Sequence, residues 1–193
     1  MSSPSNVDKG IDKGPGKGAG KASFERFRAV VEHAIVSLNS PLKLYDLEYQ
    51  TGTFLLRVYI INPETLTAEI GDCVKVDDAL TLPLQEAWVP EGLTLEVSSP
   101  GIFRSLKNDW HFEMSLNRRI KLRLTKPLIA YKGKKEGKFF ELTGKIKAVE
   151  SELLKLDLES PQLELTEVSI LKSDIQIAHW EPNLDQMESN IPK

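Results

Sequence analysis

Residues 93–106 read Leu-Thr-Leu-Glu-Val-Ser-Ser-Pro-Gly-Ile-Phe-Arg-Ser-Leu, and this stretch divides the chain. Leu93, Leu95 and Val97 alternate with Thr94, Glu96 and Ser98. An apolar residue at every second position marks a strand with one buried face. The strand runs straight into the turn Ser98-Ser99-Pro100-Gly101. Proline presets φ at one turn position, and glycine accepts the positive φ of the next. Charge changes sign at this turn. Residues 28–99 hold 4 Lys+Arg against 11 Asp+Glu, and residues 100–150 hold 13 against 5. The balance therefore passes from −7 to +8, although the whole chain carries only −3.

Upstream of the turn, the pattern predicts an α+β domain over residues 23–101 in the order α-β-β-α-β. Ser23 is a candidate N-cap for a first helix, in which Phe24, Phe27, Val31, Ala34, Ile35 and Leu38 form an apolar stripe. Asn39-Ser40-Pro41 stops it. Strands are expected at 44–49 and 54–61 around Gly52, then a second helix over 68–82. In that helix Ile70, Cys73, Val74 and Leu80 are read as one face, and Glu69, Asp72, Asp77 and Asp78 as the other. Pro83 is read as the start of the loop into the strand at Leu93.

Downstream, residues 102–182 read as a small all-β barrel domain. A short helix over 109–116, capped by Asn108, precedes strands at 119–124, 139–149, 153–158, 163–168 and 176–180. A Lys/Gly-rich loop at 131–138 is expected between the first two strands. Residues 1–22 read as a disordered basic tail and 183–193 as a frayed one.

Composition removes several kinds of chemistry. Cys73 is the only cysteine, so no internal disulfide and no cysteine-based zinc site is expected. The three histidines, His33, His111 and His179, show no metal-ligand spacing, and each reads as a surface or hydrogen-bonded histidine. Gly16-Lys17-Gly18-Ala19-Gly20-Lys21 resembles a phosphate loop, but Pro15 replaces the required glycine and Ala22 the required hydroxyl. Ser99 lacks the flanking glycines of a nucleophile elbow and reads as a turn residue. Asp77 and Asp78 are adjacent, so on a helix they face apart and form a solvated acidic surface. No catalytic residue, metal or cofactor is expected. No apolar run suits a membrane span or a secretory signal, which predicts a cytoplasmic protein with no membrane partner.

The basic block is the remaining candidate site. Along 119–124, Ile120, Leu122 and Leu124 alternate with Arg119, Lys121 and Arg123, so three cations share one face. Arg104, Lys107, Arg118 and Lys126 are close in sequence, and Lys132, Lys134, Lys135 and Lys138 crowd the expected loop. Between Lys121 and Lys138 only Glu136 interrupts the cations. Unpaired cations at this density repel, and contact with phosphates would relieve them. All eleven are candidate RNA-binding residues.

The chain resembles the bacterial ribosome maturation factor RimP family from about Phe24 to Trp180. The most specific match is Leu95-Glu96-Val97-Ser98-Ser99-Pro100-Gly101, similar to the family's domain-junction motif, with Arg104 on the family's arginine three positions later. Leu56-Arg57-Val58-Tyr59-Ile60, Asp72-Cys73 and Phe112 also fit, whereas Phe103, Ser105 and Ile61 depart from the usual Asp, Pro and Asp. The resemblance implies an α+β domain followed by an Sm-like barrel. It also implies a non-catalytic role in assembling the 30S ribosomal subunit, with its precursor, rRNA and a basic small-subunit ribosomal protein as partners. From charge, the acidic Asp72, Asp77 and Asp78 suit the ribosomal protein and the basic strand suits rRNA, and a monomer is expected. The competing readings are an Sm-like module acting on small RNAs, which needs no acidic domain, and a hydrolase using Ser99.

Overall fold

The computed structural model describes residues 17–86, 92–132, 135–159 and 165–182. The chain forms two units, one ending at Ser98 and the other beginning at Ser99.

In the first unit, helix α1 (Lys17–Ser37) is followed by β1 (Lys43–Gln50), β2 (Leu55–Ile61), helix α2 (Ile70–Glu86) and β3 (Thr94–Ser98). This is the α-β-β-α-β order that the apolar pattern predicts. β1 pairs antiparallel with β2, and β2 pairs parallel with β3, Val58 opposite Val97. Phe27, Val31, Ala34 and Ile35 of α1 are buried against Leu56, Val58 and Ile60 of the sheet and Val76, Leu80 and Leu84 of α2. Asn39 ends α1 in the left-handed region at φ 48°, a conformation that asparagine tolerates better than most residues.

Three expectations about these helices are corrected. α1 begins at Lys17, so Ser23 lies inside it and residues 17–22 are helical. Residues 1–16 of the expected tail lie outside the described residues. Ala19, Lys21 and Ala22 are good helix formers, and extending an existing helix needs no new nucleus. α2 runs through Pro83 to Glu86, held by Leu80 and Leu84, which are both buried on the core. Its inner face is Val76, Leu80 and Leu84, with Cys73 partly buried beside them, whereas Ile70 is 85% and Val74 53% exposed. The stripe that follows the helical repeat along the core therefore begins at Cys73.

The second unit holds a short helix α3 (Asp109–Glu113) and strands β4 (Arg119–Lys132), β5 (Lys135–Val149), β6 (Leu153–Leu158), β7 (Glu167–Leu171) and β8 (Ile175–Trp180). A single 3-10 turn, Lys172–Asp174, links β7 to β8. All the pairings are antiparallel, in the order β7-β6-β5-β4-β8. Among the described residues no ladder joins the edge strands β7 and β8, so the domain is a five-stranded antiparallel sheet rather than a hydrogen-bonded closed barrel. Its core is Ile120, Leu122, Leu142, Ile146, Leu154 and Leu156. Gly144 lets β5 approach β6, since a Cβ there would collide with the Asp157 carbonyl.

Two strand expectations also change. The expected loop at 131–138 belongs largely to the sheet, because the β4–β5 ladder continues to Lys132 opposite Lys135. Ile129, Tyr131, Phe139 and Phe140 are strong strand formers, and their preference carries the hairpin past the lysines. β7 starts at Glu167 rather than Leu163, and residues 160–164 and 183–193 lie outside the described residues.

Candidate nucleic-acid and protein interfaces

The alternation on β4 holds in the structure. Ile120, Leu122 and Leu124 point into the core, with exposures of 0%, 0% and 4%. Arg119, Lys121 and Arg123 take the outer face, where β8 places His179 opposite Lys121 and Ile177 opposite Arg123.

The cations there are not bare. Arg119 Nε lies 2.7 Å from Glu159 Oε2, and its guanidinium also donates to the Glu181 carbonyl at 3.2 Å. Lys121 Nζ lies 3.1 Å from Glu141, and Lys126 Nζ 2.8 Å from Asp174. The expectation of unpaired, mutually repelling cations is thus corrected at these three positions. Strand pairing brings in carboxylates from 141, 159 and 174 that the local run does not contain. Exposed Arg123 and Lys138 have no ion pair among the described residues. Exposed ion pairs contribute only about 0–1 kcal/mol each, so a phosphate can replace the carboxylate at little cost.

The other candidates separate by burial. Arg104 is 5% exposed, and its guanidinium stacks 4.0 Å over the Trp180 ring. Its carbonyl accepts from the Trp180 N–H at 3.0 Å, so its place is inside the unit. Arg118 is exposed, 5.5 Å over the same ring. Lys107 lines a groove of about 430 Å³ beside α3, together with Lys172, whose ammonium is held by Asp109 at 2.7 Å. Lys132 ends β4 and Lys135 begins β5, and Lys134 lies outside the described residues.

The histidines are structural or exposed. His111 is 1% exposed, accepts from the Lys107 N–H at Nδ1 (3.0 Å), and its carbonyl accepts from Ser115 Oγ (2.7 Å). Ser115 Oγ in turn accepts from Trp180 Nε1 at 2.9 Å. Asn108 caps α3 by accepting from the His111 N–H at 3.1 Å, as its sequence position predicts. His33 is exposed on α1, and His179 lies 3.4 Å from Glu181. Among the described residues no group of three His, Cys, Asp or Glu could hold a metal ion, and no helix is long and apolar enough to cross a membrane.

In the junction motif Ser98 ends β3, and Gly101 has φ 75°, the positive value expected for it. Of the acidic candidates, Asp72 is a capping residue: its Oδ2 accepts from the Glu69 N–H at 3.2 Å at the start of α2, and Lys75 lies 3.6 Å from it. Asp78 is exposed and Asp77 half-buried on the same helix. On the outer face of the first sheet, Glu48 accepts from the Tyr59 hydroxyl and Glu96 pairs with Arg57. Burial raises the Tyr59 pKa above its ordinary value, with the Glu48 carboxylate adding to the effect.

Residues 30–103 match the family model of the RimP N-terminal domain. This part of the chain is similar to a RimP N-terminal domain. The match agrees with the resemblance to the RimP ribosome maturation factors over these residues. The match runs from Val30, inside α1, through β3 and the turn after it, ending one residue before Arg104. Ile129, Tyr131 and Phe140, absent from the candidates that the sequence suggests, stand exposed on the β4–β5 hairpin. Their signal was the alternation of Ile129 and Tyr131 with Leu128 and Ala130, obscured by the lysines around it.

Proposed function

We propose that this chain assists 30S assembly without catalysis, as a cytoplasmic monomer that holds rRNA on its second unit and a basic small-subunit ribosomal protein on its first. The observation carrying the RNA reading is the outward row Arg119, Lys121 and Arg123 over the fully buried Ile120 and Leu122. Such a row can meet a phosphate backbone without any change in the core. Lys107, Arg118, Lys126 and Lys138 are further exposed cations assigned to RNA, and Lys132, Lys134 and Lys135 join them on the sequence pattern alone. Arg104 is assigned to holding Trp180 in place. Asp77 and Asp78 face the basic ribosomal protein, while Asp72 shapes the helix that presents them.

The test measures affinity against salt concentration. The variant Arg119→Gln, Lys121→Gln, Arg123→Gln should bind an rRNA fragment more weakly, and its log–log salt slope should fall by about 0.7 per lost contact on a single strand. Asp77→Asn with Asp78→Asn should leave RNA binding intact and weaken capture of the ribosomal protein. A basic-face variant that binds RNA like the wild type would overturn the assignment. In cell extracts the protein should sediment with free 30S particles and be absent from mature ribosomes.

A further inference from the structure

The β4–β5 hairpin has two unlike faces beyond the ladder's irregularity between Arg123 and Leu128. On one, Ala130 is 2% exposed, and its cross-strand partner Gly137 lies under the Phe139 ring, which a Cβ would meet at 2.8 Å. That face is closed by its own side chains. On the other, Ile129, Tyr131 and Phe140 are 58%, 56% and 48% exposed. Lys138 is opposite Ile129 and exposed, and Glu136 is opposite Tyr131. Strand alternation puts Glu136, Lys138 and Phe140 on one side of β5.

We propose that this face is a stacking platform for unpaired RNA bases. The inference rests on the RNA reading above and narrows it to single strands. Scattered apolar side chains are ordinary on a surface, but three on one face with a polar rim mark an interaction site. Charge selects the partner. In sequence, residues 126–138 hold five lysines against Glu136, and of these the exposed Lys138 stands on the face itself, without an ion pair among the described residues, whereas Lys126 is held by Asp174. A basic protein would be repelled there. A single strand offers what this face lacks: anionic phosphates for the cations and flat rings for the exposed apolar groups. A duplex keeps its bases stacked on one another and offers none to the rings. Tyr131 and Phe140 stand about four residues apart along the strand direction, roughly 14 Å at 3.4 Å per residue. Ile129 and Lys138 lie between them, so two bases can stack separately with a phosphate near the lysine.

The experiment uses the full chain, a short single-stranded RNA of mixed sequence and the duplex formed with its complement. Tyr131→Leu and Phe140→Leu keep an apolar strand residue and remove the ring. Each should weaken single-strand binding by roughly 5- to 150-fold, the range expected for one lost base stack, with the salt slope unchanged. Duplex binding should not move. Tyr131→Phe, which restores the ring, should bind the single strand like the wild type, and Lys138→Gln should lower the salt slope. If the protein binds RNA but both leucine variants bind the single strand undiminished, the platform is overturned and the RNA reading stands. If the wild type binds neither RNA, both fall together. Leucine variants that keep RNA binding but lose the ribosomal protein would identify a protein-docking face and overturn the platform.

Discussion

Arg119 and Glu159 form an ion pair across 40 residues of sequence, Nε to Oε2 at 2.7 Å. The second oxygen of the same carboxylate lies 3.7 Å from Lys145 Nζ. Glu159 is anchored there by its own N–H, which donates to the Thr143 carbonyl at 3.0 Å. One carboxylate just beyond β6 thus neutralises cations from two neighbouring strands.

Glu159→Gln should therefore raise RNA affinity, because Arg119 and Lys145 would no longer need to exchange a carboxylate for a phosphate. Stability should change by less than about 1 kcal/mol, as for other surface pairs. Filter binding at several salt concentrations and a thermal melt check both parts. Unchanged or weaker RNA binding would show that the outer face of β4 does not meet phosphates.

Asp72 and Asp77 should separate into different roles. Asp72→Ala removes the acceptor for the Glu69 N–H and should destabilise the first unit by about 0.5–2 kcal/mol, the usual range for a lost cap. Asp77→Ala should leave the melting temperature near the wild-type value, since no cap depends on its side chain. Denaturant midpoints of the two variants decide the matter, with equal midpoints counting against it.

Gly101 and Ser99 should also differ. Gly101→Ala places a Cβ in open space, so its cost is backbone strain at φ 75° alone, about 1–2 kcal/mol. Ser99→Ala should cost no more than about 1.5 kcal/mol, the scale of one hydrogen bond, and should leave assembly activity intact. A folded Ser99→Ala protein without activity would revive Ser99 as a nucleophile.

Gly144→Ala should be among the most damaging small substitutions in the second unit. The new Cβ would press on the Asp157 carbonyl across the β5–β6 ladder, where the atom that must yield is backbone. The expected loss is about 1–3 kcal/mol, as for other overpacked sites. Gly52→Ala, with nothing near its Cβ, is the matched control, and the difference in denaturant midpoint is the readout.

The sequence by itself determined whatever depends on neighbours within a turn or two. The stripe of Phe27, Val31, Ala34 and Ile35, the in–out alternation from Arg119 to Leu124, the Asn108 cap and the positive φ at Gly101 are all local. Periodicity, hydroxyl or amide capping and glycine's freedom act over a few residues, so the order of residues suffices to read them. The junction motif was legible for the same reason, as a contiguous string that also carries the family resemblance. Tertiary structure alone decided which cations remain available. A run of positive charge is a property of the chain, but the potential of a face sums over strands brought together from distant segments. Glu141, Glu159 and Asp174 reach Lys121, Arg119 and Lys126 only because β4 pairs with both β5 and β8, and because Glu159 follows β6, the next strand. Arg104 reads as one more basic residue until β8 brings the Trp180 ring beneath it. Tyr131 and Phe140 share a face only because the hairpin continues through the lysines, where strand propensity outweighs local charge repulsion.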